Sequence, residues 1–128
     1  MRQFNILLDD KPGELARVTA ALSHTNIRSL STERGKNSKT LLKLITHDSN
    51  STKSALAKAS FEFSEAEILV VGLIDRPGEL HKLATRLGNE GINIMDIYLI
   101  DKATLALCVD KSQLEHAREL LAENLISN

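Results

Sequence analysis

The hexapeptide Asp10-Lys11-Pro12-Gly13-Glu14-Leu15 returns 65 residues later as Asp75-Arg76-Pro77-Gly78-Glu79-Leu80, with a single Lys→Arg exchange. The two copies hold both prolines of the chain. A Pro-Gly pair breaks regular structure, and each copy stands between an apolar run and an amphipathic helix pattern. Such a chain is constrained to fold as two versions of one small strand–turn–helix unit. At the same offset Leu22 matches Leu87, Ile27 matches Ile92 and Asn26 matches Gly91, and Thr40–Ile45 aligns with Thr104–Val109 at an offset of 64. Asn26 and Gly91 each follow a helix pattern and precede a strand. A left-handed residue ends many helices at such a place, and Gly or Asn tolerates that conformation best.

Periodicity orders the elements. Phe4, Ile6 and Leu8 alternate with other residues as in a half-buried strand. Pro12 suits the first turn of a helix, where its missing N–H costs nothing. Leu15, Val18 and Leu22 then form one helix stripe. Strands are predicted near Ile27–Glu33 and Thr40–Thr46, with a polar turn at Arg34–Lys39 between them. His47–Ser51 reads as a polar connection, Thr52–Ala59 as a short helix, and Phe61 with Phe63 as a brief closing strand. The second unit repeats this order with a strand at Ile68–Ile74 and a helix stripe of Leu80, Leu83, Ala84 and Leu87. Strands at Ile92–Ile100 and Thr104–Val109 and a helix near Ser112–Glu123 follow, so residues 124–128 leave a short or absent closing strand. The expected organisation is α+β, with two ferredoxin-like βαββαβ units, antiparallel sheets and helices on one face. The units are placed at residues 1–65 and 66–128. The first strand of unit two is apolar on both faces, and the second face is expected to meet the other half or another subunit.

A unit of about 64 residues buries only roughly 60% of its unfolded surface, so the halves are expected to pack together or dimerise. Formal net charge is −1, from 16 basic and 17 acidic residues, which gives no electrostatic grip on nucleic acid or an anionic membrane. Aromatic residues make up 3% and there is no Trp, which argues against base-stacking surfaces. The single cysteine, Cys108, sits in an apolar run and reads as a buried, inert thiol. No basic-then-apolar leader and no apolar stretch of about 20 residues occurs, so a cytoplasmic location without membrane contact is expected.

The repeated loop is the candidate site. A helix N-terminus presents unpaired N–H donors and a partial positive charge, which favour a carboxylate or phosphate. Gly13 and Gly78 let a ligand approach the backbone, and Asp10 and Asp75 supply acceptors for an ammonium group. Those two chemistries together match the charged ends of a free α-amino acid. The same residues also make a good helix start without any ligand, with Glu14 and Glu79 favourable to the helix dipole.

Asp-x-Pro-Gly-x-Leu, a helix and then Gly91-Ile92-Asn93-Ile94, in a β-α-β-β-α-β order, resembles the ACT domain. The resemblance spans nearly the whole chain as a tandem pair and leaves no catalytic domain over. It implies a regulatory module that binds an amino acid and acts beside an enzyme of amino-acid metabolism. In that family effectors lie at the junction of paired units, between the loop of one and the second strand of its neighbour. Carried over, this implicates Asp10, Lys11, Gly13, Asp75, Arg76 and Gly78 in the loops and Asn93 and Ile94 on the facing strand. Unit one has Asn26-Ile27-Arg28-Ser29 where the family reads Gly-Ile-Asn-Ile, with Arg28 in the place of Asn.

An enzyme is not expected. His24, His47, His81 and His116 lack metal-ligand spacing, and no GxxxxGK[ST] loop occurs, so no catalytic residue, metal or cofactor is assigned. The alternative to an amino-acid sensor is a ligand-free dimerisation module. A homodimer is expected on either reading.

Overall fold

The structure, a computed structural model, describes residues 1–126. The chain divides into two compact units, one of Arg2–Ala66 and one of Met1 with the residues from Glu67 onward.

The first unit runs β1 (Arg2–Asp9), α1 (Glu14–Ala21), β2 (Ile27–Arg34), β3 (Lys39–Thr46), α2 (Ser49–Lys58) and β4 (Glu62–Glu67). Its sheet has the order β2-β3-β1-β4, and β3 is antiparallel to both β1 and β2. Alternation along β1 sends Phe4, Ile6 and Leu8 to one face, where they bury against Val18 and Leu22 of the α1 segment, Leu56 of α2, and Leu42 and Leu44 of β3. The second helix begins three residues before the predicted Thr52. The physical reason is a side-chain cap: the Asp48 carboxylate accepts the Ser51 N–H at 3.1 Å.

The second unit runs β5 (Leu69–Gly72), α3 (Glu79–Asn89), β6 (Ile94–Asp101), β7 (Thr104–Val109), a 3₁₀ turn (Lys111–Gln113) and α4 (Leu114–Leu120). Its sheet order is β5-β7-β6. The core joins Leu69, Val71, Leu105, Leu107 and Val109 of the sheet to Leu83 and Leu87 of α3 and Ala117 of α4. Ile68, Val70, Ala106 and Cys108 alternate with those residues and are buried on the opposite face. β5 is shorter than predicted because Leu73 and Ile74 already lead into the turn. The closing strand is a single bridge, Val71 with Leu125, flanked by Gly72 N–H to Asn124 O and Ile126 N–H to Val70 O, each 2.8 Å. The last two residues of the predicted 124–128 stretch lie outside the described residues. Two ferredoxin-like units with antiparallel sheets and helices on one face are thus the architecture.

Pairing registers correct the internal alignment. Leu44 pairs with Phe4 and Leu30, and Leu107 pairs with Leu69 and Ile97, so these are equivalent trios. The offset is therefore 65 in the first strand, 67 in the second and 63 in the third. A longer helix, eleven residues in α3 against eight in α1, and a shorter hairpin account for the two slips. Ile27 matches Ile94, Asn26 matches Asn93 and Arg28 matches Met95. Arg28 therefore does not stand in place of the family's Asn. The shared left-handed helix end is also revised: Gly91 has φ 73, while Asn26 is not among the residues with positive φ.

No helix among the described residues is long and apolar enough to cross a membrane.

Candidate ligand-binding corners

The two Pro-Gly loops adopt one geometry. In each, a three-residue turn closes about the aspartate, from Lys11 N–H to Asp9 O at 3.0 Å and from Arg76 N–H to Ile74 O at 2.9 Å. Gly13 then takes φ 90 and ψ −11 and Gly78 φ 89 and ψ −12, immediately before α1 and α3. This left-handed conformation is what requires glycine. No atom lies within 4 Å of where a Cβ would stand at either position. The amides of Gly13, Glu14 and Leu15, and those of Gly78 and Leu80, meet no acceptor among the described residues. Both corners thus keep helix N-terminal donors open to solvent.

The corners differ in their charges. At the first, the Asp10 carboxylate is already paired with Arg34 Nε at 3.1 Å. Lys39 Nζ sits 2.6 Å from Asp9 Oδ1, and this charged hydrogen bond holds the Asp9 carboxyl below its ordinary range and raises the Lys39 ammonium. Glu14 is buried; its carboxylate accepts the Arg17 guanidinium (Nε, 3.0 Å) and the Asp9 N–H (3.3 Å). The hydrogen bond from Arg17 is the main cause of its lowered pKa. A cleft of about 250 Å³ opens here, lined by Asp10, Lys11, Glu14, Leu15, Thr32 and Arg34, among others. That is just under the ~300–1,000 Å³ of clefts for drug-sized ligands. At the second corner Arg76 is turned onto Glu79 (Nε to Oε1, 2.8 Å) and away from Asp75. The exposed Asp75 carboxylate has no ion pair or hydrogen bond among the described residues.

Six of the eight sequence-derived site residues therefore lie in the two corners: Asp10, Lys11 and Gly13 in one, Asp75, Arg76 and Gly78 in the other. Asn93 and Ile94 lie apart from the corner of their own unit. Ile94 pairs with Val109 at one end of β7, while the chain leaves β5 toward Asp75 opposite Thr104 at the other end. The two places are roughly 17 Å apart at ~3.3 Å per residue. The Asn93 N–H is bound by Gln113 Oε1 at 3.1 Å, and Ile94 packs against the core. Arg34, Thr32 and Lys39 were not singled out by sequence reasoning. Their one local signal is a charged turn between two strands, which does not say which loop it faces. Among the described residues no group of three or more His, Cys, Asp or Glu side chains could hold a metal ion.

The sequence matches no protein-family model and no curated protein. Its fold, however, is similar to solved structures. A protein from Bacteroides thetaiotaomicron superposes with a TM-score of 0.85 at 24% identity, over 98% of this chain and 90% of that one. The ligand-free regulatory subunit of aspartate kinase from Thermus thermophilus gives 0.67 at 17% identity, over 96% and 91%. The corresponding subunit from Thermus flavus gives 0.62 at 19%, over 95% and 90%. The fold is ACT-like.

Proposed function

We propose that this chain is a non-catalytic regulatory module that binds a free α-amino acid at its glycine corners and passes the binding on to an enzyme of amino-acid metabolism. The observation that carries the proposal is the pair of matched left-handed glycines. Each leaves helix N-terminal amides unpartnered and the space above them empty. Amides so arranged take the ligand's carboxylate. At the second corner the unpartnered Asp75 takes its ammonium group. At the first corner the ammonium competes with Arg34 for Asp10, so Asp75–Gly78 is the stronger site. The fold's likeness to regulatory subunits of aspartate kinase supports the regulatory half of the proposal. Regulation requires the ligand to prefer one of two arrangements of the module or its enzyme, typically by ~1–3 kcal/mol.

A thermal-denaturation screen against the twenty amino acids at millimolar concentration tests this. Ligand at ~100 times its dissociation constant adds about 2.7 kcal/mol to stability. One amino acid or a small group is expected to raise the melting temperature by several degrees, and Asp75→Asn to remove most of that rise. A flat screen refutes amino-acid binding and leaves a ligand-free module.

A further inference from the structure

The strand registers fix which residues stand at the second corner where the first has its cleft. Asp9, Leu15, Thr32, Arg34 and Thr40 are among the residues lining that cleft. With Leu44 equivalent to Leu107, Thr40 falls on Ala103, and Thr32, opposite Leu42, falls on Leu99, opposite Leu105. The first-strand offset of 65 puts Ile74 at the place of Asp9 and Leu80 at that of Leu15. The second hairpin closes at Asp101 with Thr104, so no paired residue takes the place of Arg34, which lies opposite Thr40. A carboxylate and two hydroxyls thus give way to Ile74, Leu99 and Ala103, and the guanidinium has no counterpart.

The backbone around these side chains is the same in both units, since the turn about the aspartate and the dihedrals of the glycine match. Ile74, Leu80 and Leu99 are 61%, 49% and 60% exposed, and none of them belongs to the core of the unit. An exposed apolar side chain standing singly is ordinary. Here three stand around one corner, beside the open amides and the Asp75 carboxylate. A polar ligand side chain finds no hydrogen-bonding partner on such walls. An apolar one leaves water against them, and each methylene so buried is worth roughly four-fold in affinity.

We propose that the Asp75–Gly78 corner selects an aliphatic α-amino acid, whose side chain lies on Ile74, Leu80 and Leu99. The proposal rests on the amino-acid reading of the corner and adds the class of side chain. Lys102 lies in the two-residue turn after Asp101, at the place of Lys39 in the first unit, so glutamate is the competing probe.

Titration calorimetry of the full chain with L-alanine, L-leucine, L-asparagine and L-glutamate tests it, with circular dichroism to confirm folding. Leucine and asparagine have nearly the same shape and opposite polarity. Leucine is expected to bind about 10-fold tighter than either alanine or asparagine. The double variant Ile74→Thr, Leu99→Thr changes two exposed positions and is expected to bring leucine within about two-fold of alanine, with alanine itself unmoved. Met95→Thr, an equally exposed position at the far end of β6, is expected to leave the preference intact. Binding led by asparagine or glutamate, and abolished by Asp75→Asn, overturns the aliphatic assignment while the amino-acid reading stands. A preference for leucine that survives the double variant, or that Met95→Thr removes, also overturns it. No binding by any of the twenty amino acids overturns both readings together.

Discussion

Replacing Gly78 by alanine tests the corner geometry that the functional reading depends on. At φ 89 a Cβ crowds its own backbone, and an L-residue in the left-handed region costs about 1–2 kcal/mol. Nothing lies within 4 Å of the new methyl group, so the native-state penalty is all backbone strain. Alanine also narrows the unfolded ensemble, which returns roughly 0.4–1 kcal/mol. The net loss is about 1 kcal/mol, or about 4 °C of melting temperature if the whole chain unfolds in one step. Gly88 is the control: it lies inside α3, where alanine is the better helix former, and a Cβ there also meets nothing within 4 Å. Gly88→Ala is therefore expected to stabilise, by up to ~1 kcal/mol. Thermal and urea denaturation followed by far-ultraviolet circular dichroism would read both. Gly78→Asn separates stability from binding, because Asn tolerates the left-handed region while its side chain still enters the corner. It is expected to keep most of the stability and lose the amino-acid response. Equal stabilities for Gly78→Ala and wild type would refute the left-handed assignment.

Asp48→Ala removes the α2 cap and is expected to cost ~1 kcal/mol by urea denaturation. The Asp9 carboxyl titrates below its ordinary 3.8 chiefly because of the Lys39 hydrogen bond. The stability it contributes is therefore present above that pH and lost as pH falls through the lowered folded-state value. Lys39→Met is expected to raise the Asp9 pKa in a carbon-13 titration and to flatten the acid limb of the stability curve; an unmoved Asp9 would contradict the pairing.

Much of this was legible locally. The Pro-Gly corners were visible because glycine and proline act on their own backbone, so a few consecutive residues suffice. The strand and helix stripes were visible because burial repeats with the element's period. Three other features depend on partners distant in sequence. Arg34 reaches Asp10 only once β2 and β3 have brought it back along the sheet. Leu15 and Leu80 continue the stripes of Val18 and Leu83, yet both are exposed. The first helical turn presents them at the corner, beyond the core, which periodicity alone does not reveal. The Asn26–Gly91 equivalence came from a constant offset; the longer α3 displaced the second strand by two residues relative to it, and the shorter β6–β7 hairpin then displaced the third.

The two units differ at some positions and agree at others, and the pattern bears on the proposed mechanism. Their corner glycines agree to within a degree in both dihedrals, although the first helices differ by three residues and the hairpins also differ in length. A left-handed glycine is a liability unless the turn it makes is needed, because it costs chain entropy and exposes backbone. Each corner also feeds a core helix, so the turn has a packing reason in both copies. Packing alone, however, would tolerate a side chain's own oxygen capping the open amides, as Asp48 caps α2, and neither corner is capped in that way. Two uncapped helix starts in one small chain leave several donors to water, while a third helix shows that capping was available to this sequence. The surroundings have meanwhile diverged: Asp9 against Ile74 beside the corner, and Arg34 on Asp10 against an unpartnered Asp75. On the proposed function, a shared donor array with different flanks is expected to give two sites of unequal affinity, with Asp75–Gly78 filling first.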